Sequence, residues 1–231
     1  MATLNFDVHR FETEIAFKNL LDYLKMMEKS VKNLQDEEFQ QLSALPEPVS
    51  EEEHDERRME MQYHQERFEV EIPNMVRYGL IMMLQSNIES CLRNTCHEIA
   101  RRRQLQFEEK EYNGNVYEKT KKFLSKAANI RVTEITMWNK MQDIQKVRDC
   151  LVHVDGVVAD SRDVKHLKAM VGRGIGLLLD RSGKLFIEYM YCHNSVIEAH
   201  RYFKTLLDEA GFIKMEYCAL TQEDCIDSHN I

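Results

Sequence analysis

Phe17, Leu20, Leu24, Met27, Val31 and Leu34 recur at spacings of three and four, so they form one apolar stripe on a helix predicted over roughly residues 8–42. The segment LPEPVSEEEHDE follows, and its prolines and acids predict a solvated connection over about 43–56. A second helical region is expected from about 52 to 104, with Pro73 either kinking it or starting a new helix. Its later part, YGLIMMLQSNIESCLRNTCHEIA, is apolar around most of its circumference, the pattern of a helix central to a bundle. After a turn at Asn113-Gly114, residues 116–130 predict a shorter, basic amphipathic helix. Thr133 is placed to cap the next helix, whose stripe is Met137, Met141, Ile144 and Leu151 and whose end lies near Asp155-Gly156. A short helix is expected over about 162–171, then a β-hairpin over about 174–191 from GIGLLLDRSGKLFIEYMY, with DRSG as its turn. Ser195 with Glu198 forms the pattern of a capping box for a last helix ending at Ala210-Gly211. The fold class is therefore mainly α, a helical bundle with a small β-hairpin, read as one domain over 1–231. The order of a tail at about 221–231 is left open.

Composition narrows this picture. With 43% hydrophobic and 30% charged residues, the chain is globular, and only 8 Gly and 3 Pro leave room for long helices. No apolar run is long enough to span a bilayer, and the charged N-terminus lacks a secretory core, so a cytoplasmic protein without a membrane association is expected. Six scattered cysteines without a CxxC pair are expected to be free thiols. The net charge of −8 argues against a general nucleic-acid coat protein, while leaving room for a local basic groove.

One residue breaks the pattern. Arg148 stands on the stripe of Met137, Met141, Ile144 and Leu151, where a core side chain belongs. A guanidinium there must be paired or must face a groove or an interface, because burying it alone is costly. Glu89 on the central helix is a candidate partner. Asp149 and His153 are four apart and neighbours on one helical face, which allows a carboxylate to orient an imidazole for proton transfer. Arg148 and His153 are five apart, about 140° around an ideal helix. They converge only if the helix ends before His153 or if two copies meet.

The run KVRDCLVHVDG, with Arg148, Asp149, three mostly apolar residues and His153, resembles the arginine–polar–three–histidine signature of the HEPN superfamily. SNIESCLRNTC on the preceding long helix is also similar to that family, and the resemblance is clear over roughly 65–155. It implies a HEPN-like bundle and a metal-independent endoribonuclease leaving 2′,3′-cyclic phosphate ends, of the kind found among toxins and anti-phage effectors. His153 would handle protons, Arg148 would hold the scissile phosphate, and Asp149 would orient His153 or position RNA. RNA is the implied substrate, no cofactor or metal is implied, and a homodimer through the Arg148–His153 region is expected. An antitoxin or regulatory protein is a further expected partner. The alternative is a non-catalytic HEPN module that binds a partner protein.

Other signals point to structure. His97-Glu98-Ile99-Ala100-Arg101 lacks the second histidine of a zinc-protease helix. The glycine-rich segment Gly172–Gly176 leads into a strand, whereas a phosphate loop leads into a helix. Tyr189, Tyr191 and His193 are candidates for stacking on bases, but aromatics alternating on a strand more often pack on a helix, the reading preferred for them. Arg101–Arg103 and Lys119–Lys126 are candidates for RNA phosphates, with a solvated basic face as the competing reading.

Overall fold

The computed structural model describes residues 6–135 and 137–214; the tail at 221–231, with Cys218 and Cys225, lies outside them. The order of elements is α1 (Val8–Ser43), α2 (Glu51–Glu66), α3 (Ile72–Arg103), α4 (Val116–Lys126), α5 (Trp138–Val154), α6 (Val164–Val171), β1 (Leu177–Leu179), β2 (Leu185–Ile187) and α7 (Tyr189–Ala210). The protein is mainly helical with one two-stranded antiparallel sheet, in which Leu177 pairs with Ile187 and Leu179 with Leu185.

α3 is the central helix, and α1, α4, α5 and α7 all pack on it. Its buried residues Leu80, Ile81, Leu84, Ile88, Leu92, Cys96 and Ile99 run around it on several sides, as a helix surrounded by others requires. α1 contributes Phe17, Leu21 and Leu24, and α7 contributes Val196, Tyr202, Phe203 and Leu206. Each fully buried side chain of this kind contributes about 1.5–3 kcal/mol of transfer free energy. The rest of the α1 stripe leaves this core: Leu34 is exposed, and the second half of α1 pairs with α2, a helix that buries none of its residues.

α2 and α3 are joined without a break by a π-helical turn, Arg67–Glu71, in which the Ile72 N–H bonds the Arg67 carbonyl five residues back. Pro73 lies in the first turn of α3, where its missing N–H is tolerated, and the wider turn before it keeps the rod continuous. Of its two expected roles Pro73 takes the second, standing in the first turn of the α-helix that begins at Ile72.

Three boundaries differ from expectation. The acidic cluster Glu51–Glu53 forms the first turn of α2, with Ser50 accepting from the Glu53 N–H, so the connection shrinks to 44–50. Carboxylates at a helix N-terminus meet its partial positive charge, which explains why they join the helix. α5 starts at Trp138 after Met137 in a left-handed conformation, and Thr133 sits in a turn and caps nothing. α7 starts at Tyr189, directly after β2, so Ser195 is buried in mid-helix and no capping box forms. Tyr189 and His193 consequently meet one turn apart, with ring centroids at 5.7 Å, and do not alternate on a strand.

Candidate functional site

α5 carries the site because its stripe faces α3 while its solvent edge faces α6 and the loop before it. Arg148 reaches across to α3, where its Nη2 donates to Glu89 Oε1 at 3.1 Å; its Nη1 lies 2.8 Å from Asp149 Oδ1. The other Asp149 oxygen accepts from Arg162 at 2.6 Å, and Arg162 also bonds Asp163 at 3.2 Å. The result is a row of alternating charge, Glu89–Arg148–Asp149–Arg162–Asp163, on the rim of the bundle. Its inner end is anchored in the core: Gln85 donates to Glu89 at 2.9 Å, and the buried Tyr117 hydroxyl lies 3.1 Å from the Gln85 side-chain oxygen.

Arg148 is 26% exposed, so its fork opens to solvent at the stripe position that pattern alone marked as anomalous. The expected pairing with Glu89 is present. The expected bond from Asp149 to His153 is absent, because both Asp149 oxygens are held by arginines. His153 is exposed in the last turn of α5 and has no hydrogen-bond or ion-pair partner among the described residues. α5 continues through Val154, where the Gly156 N–H, in a residue with φ +78°, bonds the Cys150 carbonyl at 3.1 Å. The helix thus does not end before His153, and within one chain Arg148 and His153 diverge around it.

Cys150 is buried beside this row, and burial pushes its thiol up, away from the thiolate needed for nucleophilic attack. Cys91 is likewise pushed up to about 12 by burial. The described cysteines, Cys91, Cys96, Cys150 and Cys192, are all buried and unpaired.

The basic cluster at 101–103 is committed to the fold. Arg101 and Arg102 bond Glu98 at 2.6–2.8 Å, and Arg102 also bonds Asp7 at 2.8 and 3.0 Å. Arg103 donates to the carbonyls of Ala128, just past α4, and Ala210, the last residue of α7, at 2.5 and 3.1 Å. Glu98 is held to about 2 by its hydrogen bonds with Arg101 and Arg102, against the opposing effect of burial.

A second imidazole was missed by sequence reasoning. His166 on α6 bonds the buried Asp143 of α5 at 2.6 Å, and Arg173 comes within 3.8 Å of the other Asp143 oxygen. The two histidine partners are 23 residues apart on different helices, and no spacing rule joins them.

No family model, curated protein or solved structure matches the chain. Among the described residues, no helix is long and apolar enough to cross a membrane.

Proposed function

We propose that the protein is a metal-independent endoribonuclease acting through Arg148 and His153. The observation that carries this reading is an ion-paired yet solvent-open guanidinium on the core stripe of α5, five residues before an exposed imidazole without a partner among the described residues. A planar fork whose two occupied N–H groups fix its orientation leaves others for a phosphate, and it stabilises charge developing on the oxygens. O2′ would attack phosphorus as an imidazole takes its proton; the P–O5′ bond breaks, and a protonated imidazole supplies the proton to O5′. Because Arg148 and His153 diverge within one chain, the reading requires two copies apposed through their α5 helices, with Asp149 setting the position of Arg148. Met82 lies seven residues before Glu89 and Val152 four after Arg148; both are exposed, 42% and 50%, and offer apolar surface to one side of the Glu89–Arg148 pair for such a contact.

The test is incubation of the protein with RNA in excess EDTA. His153→Ala should lower cleavage by roughly 10²–10⁴-fold. Arg148→Ala should be comparably severe, Arg148→Lys should recover little, and Asp149→Asn should do less damage. Cys150→Ala should leave the rate within a few-fold, and the products should carry 2′,3′-cyclic phosphates. Cleavage that needs Mg²⁺, accepts a 2′-deoxy sugar at the scissile position, or survives both alanine changes overturns the assignment.

A non-catalytic binding module is the second reading. It is favoured by the closed charge row, in which Arg148 already has two carboxylates and needs no substrate to neutralise it.

A further inference from the structure

The imidazole that this fold orients is His166. Asp143, 8% exposed, sits on α5 with one oxygen 2.6 Å from His166 Nε2 and the other facing Arg173. A carboxylate only accepts, so Nε2 is the donor, and the neutral ring carries its lone pair on Nδ1. Nδ1 has no partner among the described residues, and the side chain is 35% exposed. Arg173, half exposed, is beyond hydrogen-bond distance of Asp143, so its fork is held near the carboxylate with its donors unspent.

The segment that presents Arg173 is the glycine-rich run that no phosphate-loop reading could absorb. Gly174 has φ +64°, and Gly176, at φ +82°, passes so close to α7 that a Cβ would lie 3.0 Å from the Tyr191 backbone nitrogen. The chain therefore turns tightly after α6 and sets Arg173 beside the His166–Asp143 pair. Lys140 and Glu198, 3.6 Å apart, pair with each other, so Lys140 does not compete directly for Asp143.

We propose that His166, Asp143 and Arg173 form a ribonucleotide-recognition subsite, in which Arg173 takes a backbone phosphate and His166 Nδ1 accepts the 2′-hydroxyl of the same nucleotide. Asp143 is the positioning residue that fixes the ring and its tautomer. A 2′-hydroxyl is the group by which a protein tells RNA from DNA at one site, and the ring offers it an acceptor beside a guanidinium. The inference rests on the RNA reading above and adds to it a place where ribose is recognised away from Arg148.

The experiment measures binding of a labelled ribo-oligonucleotide and its 2′-deoxy counterpart by fluorescence anisotropy, in a His153→Ala protein so that the strand is not consumed. The ribo strand should bind about tenfold more tightly, the worth of one hydrogen bond to a polar site. His166→Ala and His166→Leu should erase that preference and leave the deoxy affinity unchanged. Arg173→Ala should weaken both strands about tenfold or more and lower the salt slope by about one. Unchanged melting temperatures establish that these surface variants are folded. Equal affinity for both strands, a ribose preference that survives both His166 changes, or no binding of either strand overturns the subsite. A protein that never cleaves RNA but loses its ribose preference with His166 keeps the subsite and removes the ribonuclease reading. Cleavage by the unaltered protein, with binding unmoved in the His166 and Arg173 variants, does the reverse.

Discussion

A single arginine among methionines and leucines was enough to locate the α5 site, because an apolar stripe has only two ways to tolerate a guanidinium: a partner or an opening. Arg148 has both, with Glu89 and Asp149 as partners. What the sequence did not disclose is that Asp149 prefers two arginines to His153, since Arg162 comes from a loop whose path no periodicity encodes. His166 was invisible because its partner Asp143 lies on another helix, 23 residues away. Buried histidines are a separate matter. His200 packs its edge on Phe17 at 6.3 Å between centroids, and its Nε2 has no partner among the described residues. Burial, helped by the cations Lys204, Arg10 and Arg201, depresses its pKa from 6.5 to about 4. The unfolded chain thus binds a proton that the fold refuses between these values. His200's contribution is complete above pH 6.5 and is lost as pH falls through about 4. The loss is on the order of 3 kcal/mol, equivalent to roughly 6–12 °C in melting temperature. His200→Leu should therefore make the drop in melting temperature between pH 7 and pH 4 measurably smaller. Thermal scans at the two values check it, and an unaltered drop would refute the assignment.

Elements were legible where apolar periodicity ran uninterrupted. α1, α3 and α6 lie within two or three residues of expectation, and the DRSG turn forms with Gly183 at φ +81° and Asp180 accepting from Ser182 and Lys184. The misread starts of α5 and α7 share a cause. Both follow directly on a turn or strand and lack a side-chain cap, so no local signal marks them. α2 poses the opposite case, a helix with a good N-cap and nothing buried. Its hold on the molecule consists of Phe68 in the π-helical turn, Arg57 on the Leu42 and Pro46 carbonyls at 2.6 and 2.8 Å, and Glu38 shared by His64 and Arg67 at 3.0 and 3.1 Å. Such a segment opens at lower free energy than the core beneath it. Phe68→Ala should speed amide exchange across residues 51–66 by at least tenfold, leaving α3 beyond residue 80 protected. Hydrogen-exchange mass spectrometry reads both segments, and equal acceleration in α3 would show that the two helices open together.

Across the molecule, charge is divided. Between residues 36 and 71 there are thirteen carboxylates and three arginines, a net −10 that exceeds the −8 of the whole chain and leaves the remainder at +2. The acidic α1–α2 hairpin therefore repels a polyanion, and if RNA is the substrate, as proposed, it would be drawn to the rest of the bundle. If two copies meet there through Met82 and Val152, Met82→Asp with Val152→Asp should yield monomers by light scattering at micromolar concentration and abolish cleavage. A wild-type protein that is active as a monomer would exclude the arrangement. Arg10, 2% exposed, closes the same bundle from the other end of the chain: it holds Glu14 at 2.8 Å and Asp208, 198 residues away, at 2.6 Å. On a translating ribosome that adds about 5–20 residues each second, the first helix emerges on the order of 10–40 s before the carboxylate that completes its buried charge. Until then Phe17 lacks Phe203 and Arg10 lacks Asp208, so the first helix would stay unfinished, and open to chaperones, until α7 has been made.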